Sequence, residues 1–196
     1  MNINFLVIFF LYFVVSFSVI GYGYLFCKFI LKEKENFNHG YFGLFGFFIL
    51  ITYSYLSHFF FAHSLVHNSL IIVFGFLIFV VFLRKNLKDI FFTSGILLVF
   101  FISLMILKTH DDFPYYHFGY SYYLTDSPLM IGIGKFNHGF RTPSSIFYLN
   151  SLFYLPIIKF YFFHLPSVLI IGFVNIIFIK YFIKNIKIIV DFNVFF

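Results

Sequence analysis

The stretch KTHDDFPYYH, residues 108–117, sets two carboxylates side by side in a chain that has only seven acidic residues. Asp111 and Asp112 stand just beyond a long apolar run, Ile90 to Leu107. Adjacent carboxylates at a membrane surface suit two jobs. One can act as general base on a hydroxyl, while one or both hold a divalent cation such as Mg or Mn. His117 would either join them as a metal ligand or serve as a hydrogen-bonding group at the interface. A structural reading of Asp112 competes with the chemical one. Asp112-Phe113-Pro114 has the form of a helix start, with Asp as cap and Pro in the first turn. A cap takes one Asp, so that reading leaves Asp111 without a role.

The same segment ends in GIGKFNHGFRTPSS, residues 132–145, which gathers Lys135, His138 and Arg141. These three are candidates to neutralise a phosphate, Arg141 with bidentate geometry. The alternative for the lysine is snorkelling toward lipid headgroups. GIGK is not a nucleotide-binding P-loop. That motif requires Gly where Leu129 stands and Ser or Thr where Phe136 stands. No His pair has a strong metal spacing. His58, His63 and His67 are read as a polar break between two apolar runs.

These residues need a scaffold, and composition names its class. Of 196 residues, 62% are hydrophobic and 10% charged, against about 25% charged in a soluble domain. So little polar surface cannot cover a water-soluble globule, and the chain is expected to be an all-α polytopic membrane protein. The net charge of +6 does not indicate nucleic-acid binding, because Lys and Arg cluster at the ends of apolar segments. The single Cys27 cannot form an intrachain disulfide.

About five spans are predicted: Phe5–Cys27, Tyr41–Phe61, a run starting near Val66 and ending at Leu83, Ile90–Leu107, and Ser167–Ile183. The first is read as a retained helix, since no basic residue precedes Lys28. The organisation expected is four transmembrane helices over 1–107 and a long external loop over 108–166. A fifth helix and the start of a truncated continuation follow over 167–196. Lys28, Lys32 and Lys34, and then Arg84, Lys85 and Lys88, assign their loops to the cytoplasm. The N-terminus, residues 62–69 and the acidic pair then face outside. Residues 143–155 are apolar but short, and are read as a surface helix capped by Thr142 and ended by Pro156. Lys180, Lys184 and Lys187 then fall on the cytoplasmic side. Asn175 is expected to bond between helices. No charged residue falls at the middle of a span, which disfavours an ion-coupled transporter.

An acidic pair after an outward-running helix, followed by surface helices in a large external loop, resembles the GT-C superfamily of polyprenyl-phosphate-sugar-dependent glycosyltransferases. Asp111-Asp112, Tyr116-His117-Phe118, Gly132-x-Gly134, His138-Gly139 and Ser144-Ser145 together resemble a bacterial multi-spanning family of this type. The resemblance covers most of the chain in topology, and residues 111–156 in motif. It implies a protein of the bacterial inner membrane, with a lipid-linked sugar donor and membrane lipids as partners. Asp111 or Asp112 would be the base, and Arg141 or Lys135 would steady the leaving phosphate. In typical GT-C enzymes the pair follows the first helix, whereas here it follows the fourth. Those enzymes are also longer, so this chain would be an N-terminal part. The alternative is a non-enzymatic membrane module of a flippase or polysaccharide-assembly system.

Overall fold

The structure, a computed structural model, describes residues 4–32, 37–84, 86–106 and 111–193, with side chains to residue 186. Lys34, Lys85, Lys108, His110 and the Lys187 side chain lie outside the described residues. Among the described residues five helices are long and apolar enough to cross a membrane: α1 (Phe5–Phe29), α2 (His39–His58), α3 (Leu65–Phe82), α4 (Leu87–Met105) and the segment Leu165–Ile186 of the last helix. Two shorter helices, α5 (Phe118–Asp126) and α6 (Ser145–Leu152), precede that last helix, α7 (Leu165–Asn193). The chain is an all-α polytopic membrane protein.

Local chemistry starts the spans where they start. Each of the first four opens on a side-chain oxygen that accepts an orphan amide of the first turn. Asn4 takes Leu6 N, Asn38 takes Gly40 N and Tyr41 N, Ser64 takes His67 N, and Asn86 takes Asp89 N. The bundle then packs around α1, which lies chiefly against α2 and α3. Small residues permit the approach: a Cβ on Gly46 would collide with the Val19 carbonyl oxygen. Tyr12 donates to Leu97 O at 2.8 Å and Tyr22 to Ile71 O at 2.8 Å, which tie α1 to α4 and α3.

The last helix packs on α2 and α4. Lys180 Nζ meets Asp89 Oδ1 at 2.6 Å, and His39 Nδ1 lies 2.9 Å from Thr93 Oγ1. Asp89 belongs to the first turn of α4, where a carboxylate also complements the helix dipole. These bonds close one end of the bundle, and they set the start of α4 level with the distal half of α7. Residues 111–164 close the other end, over the turn between α2 and α3. Backbone bonds of 2.9 Å run there from His63 N to Leu124 O and from Leu129 N to His58 O.

Under that cap the three histidines of the polar break are not at an open interface. His58 and His63 are buried and form part of a network. His63 Nε2 lies 3.0 Å from Ser57 Oγ, and its Nδ1 lies 2.7 Å from Ser151 Oγ. Asn68 donates to the carbonyls of His63, Ser151 and Tyr154 at 2.7–2.9 Å. Tyr53 OH sits 2.7 Å from His67 Nε2, and His67 Nδ1 sits 3.0 Å from Asn68 Oδ1. Buried polar groups demand partners, and a chain of them here fastens α2 and α3 to α6.

Three further expectations are corrected. Residues 143–155 do not lie on the membrane surface. The helix there is α6, eight residues long, or about 12 Å, too short to cross a hydrocarbon core of about 30 Å. Its residues Phe147 to Leu152 are buried against α2, α5 and α7. Its cap is Ser144, whose Oγ takes Ile146 N, and not Thr142. Asn175 bonds within its own helix, to Ile171 O at 2.9 Å.

Candidate functional site

The acidic pair enters a π-helical turn, Phe113–His117, that runs directly into α5. Asp112 precedes this turn without a side-chain capping bond, so capping does not account for it. Its backbone carbonyl accepts Tyr116 N at 3.2 Å. Asp111 is exposed and Asp112 half-buried. The wide π-helical turn places Phe113 and His117 on one wall of a cavity of about 300 Å³. Asn150 and Phe147 of α6 form another wall, and Phe163, His164 and Ser167 at the start of α7 complete it.

Aromatic contacts hold these walls. Phe113 and His164 have ring centroids 4.5 Å apart, and His117 and Phe147 5.0 Å. Behind them Tyr120, Leu124, Phe147 and Tyr148 make a small buried core of the cap. Tyr148 stacks on Tyr55 of α2 at 3.9 Å, which fixes α6 to the bundle. His164 is held below the ordinary histidine value, first by desolvation and then by the charge of His117. It is therefore neutral near pH 7 and able both to donate and to accept.

Asn150 is the unusual member of this set. It is 6% exposed, and its Oδ1 is buried with no hydrogen-bond partner. An acceptor left in this state costs about 1–3 kcal/mol. Such an atom on a cavity wall is satisfied when a donor enters the cavity.

The basic residues sit beside this site on two short 3-10 turns, Ile133–Lys135 and His138–Arg141. The second turn packs on the π-helical turn. Asn137 Nδ2 donates to Tyr115 O at 3.3 Å, and Gly139 lies so close to the Tyr116 ring that a Cβ would not fit. Lys135, His138 and Arg141 are all exposed, and Arg141 Nε donates to Gly134 O at 3.1 Å. The fold thus brings the turn carrying His138 and Arg141, with the Lys135 turn packed beside it, against the π-helical turn that follows the acidic pair. Among the described residues no three His, Cys, Asp or Glu side chains are gathered to hold a metal ion, and Asp111, Asp112 and His117 are not such a cluster. A cation at the two carboxylates would draw its remaining ligands from a bound phosphate or from water.

Sequence reasoning did not reach Asn150, His164, Ser167 or the aromatic walls. The one available signal was an amide in the middle of the apolar run SIFYLNSLFYL. Compared with family models, with curated proteins and with solved structures, the chain matches none.

Proposed function

We propose that this protein is a membrane glycosyltransferase of GT-C-like type, whose cavity receives the sugar of a polyprenyl-phosphate donor. The observation that carries this reading is the cavity itself, with the unpartnered Asn150 Oδ1 on its wall and the acidic pair immediately before its first residue, Phe113. Besides His117, its polar groups are neutral hydrogen-bonding ones, His164, Asn150 and Ser167, set among Phe113, Phe147 and Phe163. A ligand with hydroxyl donors and an apolar face suits that lining better than a bare ion does.

In this reading Asp111 or Asp112 removes the proton of an acceptor hydroxyl. The acceptor oxygen bonds to the anomeric carbon from the face opposite the phosphate. The carbon–oxygen bond to the phosphate breaks, and its electron pair leaves with the lipid phosphate. Lys135, His138 and Arg141 offset the charge that develops there. The chemistry takes place on the external face of a bacterial inner membrane, because the lysine-rich end of the bundle is the opposite one.

Two experiments test this. Asp111→Asn and Asp112→Asn are introduced singly in the native host, and envelope glycans are profiled by mass spectrometry. Loss of one glycan sugar in either variant supports a transferase; unchanged glycans in both refute it. Unchanged glycans would point to a non-enzymatic module of a flippase or polysaccharide-assembly system. For orientation, Asp111→Cys should react with a membrane-impermeant maleimide in intact cells, while Asn86→Cys should react only after lysis. Labelling with the opposite pattern would reverse the assignment of faces.

A further inference from the structure

At the end of the bundle away from the acidic pair, a cleft of about 640 Å³ opens between the starts of α2 and α4 and the distal half of α7. Its charged lining is Lys88, Asp89, Lys180 and Lys184. Asp89 and Lys180 neutralise each other at 2.6 Å. Lys88 and Lys184 are exposed and leave the cleft with two cations in excess among its described residues. The N-terminus of α2 adds little here, because Asn38 Oδ1 already takes the amides of Gly40 and Tyr41. An anion in this cleft would therefore be met by the two lysines.

A second, mainly apolar hollow of about 410 Å³ shares Asn38, Lys180 and Lys184 with the cleft. It continues between α2 and α7 along Tyr41, Ile177, Phe178 and Tyr181. Phe178 and Tyr181 are each 66% exposed on a helix that crosses the membrane, so this surface faces lipid. A charged head site thus runs into an acyl-chain groove at membrane depth. Basic pockets between transmembrane helices take anionic lipid headgroups in this way.

We propose that this cleft binds an anionic diacyl phospholipid, its phosphate between Lys88 and Lys184 and one acyl chain along the α2–α7 groove. The joined apolar groove selects a lipid over a free phosphate, and the excess of two cations selects an anionic over a zwitterionic headgroup. The site stands apart from the proposed sugar cavity and does not depend on it.

The test uses the full chain purified in mild detergent, with native mass spectrometry and thermal unfolding as readouts. Dioleoyl phosphatidylglycerol should be retained and should raise the melting temperature, whereas dioleoyl phosphatidylcholine should do neither. Glycerol 3-phosphate, which has the head and no chains, should not displace the lipid. Lys88→Gln and Lys184→Gln should each weaken retention about fivefold, and together about 30-fold. Lys159→Gln, at the other end of the chain's fold, should leave retention unchanged. Equal retention of the two lipids, or displacement by glycerol 3-phosphate, would overturn the proposal. So would a double variant that folds and still retains phosphatidylglycerol at full strength. Should that variant not fold, the comparison of the two lipids on the unaltered protein decides the matter.

Discussion

Asn150 and Ser151 are neighbours in α6, and the structure assigns them opposite roles that one pair of substitutions can separate. Asn150 Oδ1 is buried with no partner on the wall of the candidate sugar cavity. Ser151 Oγ donates to Tyr148 O at 2.8 Å and lies 2.7 Å from His63 Nδ1. Asn150→Leu keeps the branched shape, adds some volume beside the cavity, and removes an acceptor whose burial costs about 1–3 kcal/mol. Stability should therefore hold or rise by about 1 kcal/mol, a gain of roughly 2–4 °C in melting temperature for a chain of this size. On the proposed reading the same change takes away a hydrogen bond to the substrate. At about 1–1.5 kcal/mol, that is close to a tenfold loss in the rate of sugar transfer by isolated membranes using their own lipid-linked donor. Ser151→Ala should do the reverse: it unpairs His63 Nδ1 in a buried network, lowers stability by about 1–3 kcal/mol, and leaves the specific transfer rate of the folded fraction unchanged. Thermal unfolding in detergent and the transfer assay are run on both variants. A loss of several degrees in Asn150→Leu with transfer intact would make Asn150 a structural residue and refute the reasoning.

Three further outcomes are expected. Gly46→Ala places a Cβ against the Val19 carbonyl oxygen and should destabilise the α1–α2 contact by about 1–3 kcal/mol, seen as a lower melting temperature in detergent. Burial, followed by the neighbouring His58 and His67, lowers His63 from 6.5 to about 3. The unfolded chain binds that proton first as pH falls, so His63 contributes its full stability above pH 6.5 and loses it between 6.5 and about 3; the expected loss at pH 5 is roughly 2 kcal/mol, and His63→Gln should flatten the melting temperature over that range. Lys159 is held at φ 47°, ψ −119°, a conformation suited to glycine, and Lys159→Gly should raise stability by about 1 kcal/mol.

The spans were legible in the sequence because bilayer insertion is decided by length and apolarity, which no tertiary contact has to supply. Their starts were legible to within about three residues, at Phe5, Tyr41, Val66 and Ile90 against Phe5, His39, Leu65 and Leu87, although the capping residues Asn4, Asn38, Ser64 and Asn86 were not singled out. The placement of residues 143–155 was not legible. An apolar run of that length has the same composition whether it lies on lipid or under a protein cap, and only contacts with α2, α5 and α7 decide between them. The three histidines were placed correctly at the junction of α2 and α3, but their bonding was not legible, for the same reason. Their partners Ser57 and Ser151 lie 6 and 88 residues from His63, and the second separation has no periodicity to betray it.

The candidate site divides along the same line. The acidic pair and the basic turn were visible because charge is rare in this chain, and rarity needs no fold to be noticed. The cavity was invisible because Asn150, His164 and Ser167 carry no fixed charge and its walls come from three separate elements. That division has a chemical consequence. On the proposed reading the reacting groups Asp111, Asp112, Lys135, His138 and Arg141 sit on exposed or half-buried turns, open to water. The groups proposed to recognise the sugar, Asn150, His164 and Ser167, sit on α6 and at the start of α7, where neutral groups can be enclosed without neutralising partners. If a sugar binds there as proposed, it meets the enclosed walls while Asp111 stays open to an acceptor hydroxyl arriving from the aqueous side. Substitutions in the charged turns should therefore change transfer with little effect on stability. Those on the cavity's helix walls should change transfer and stability together, except at Asn150, where the two move in opposite directions.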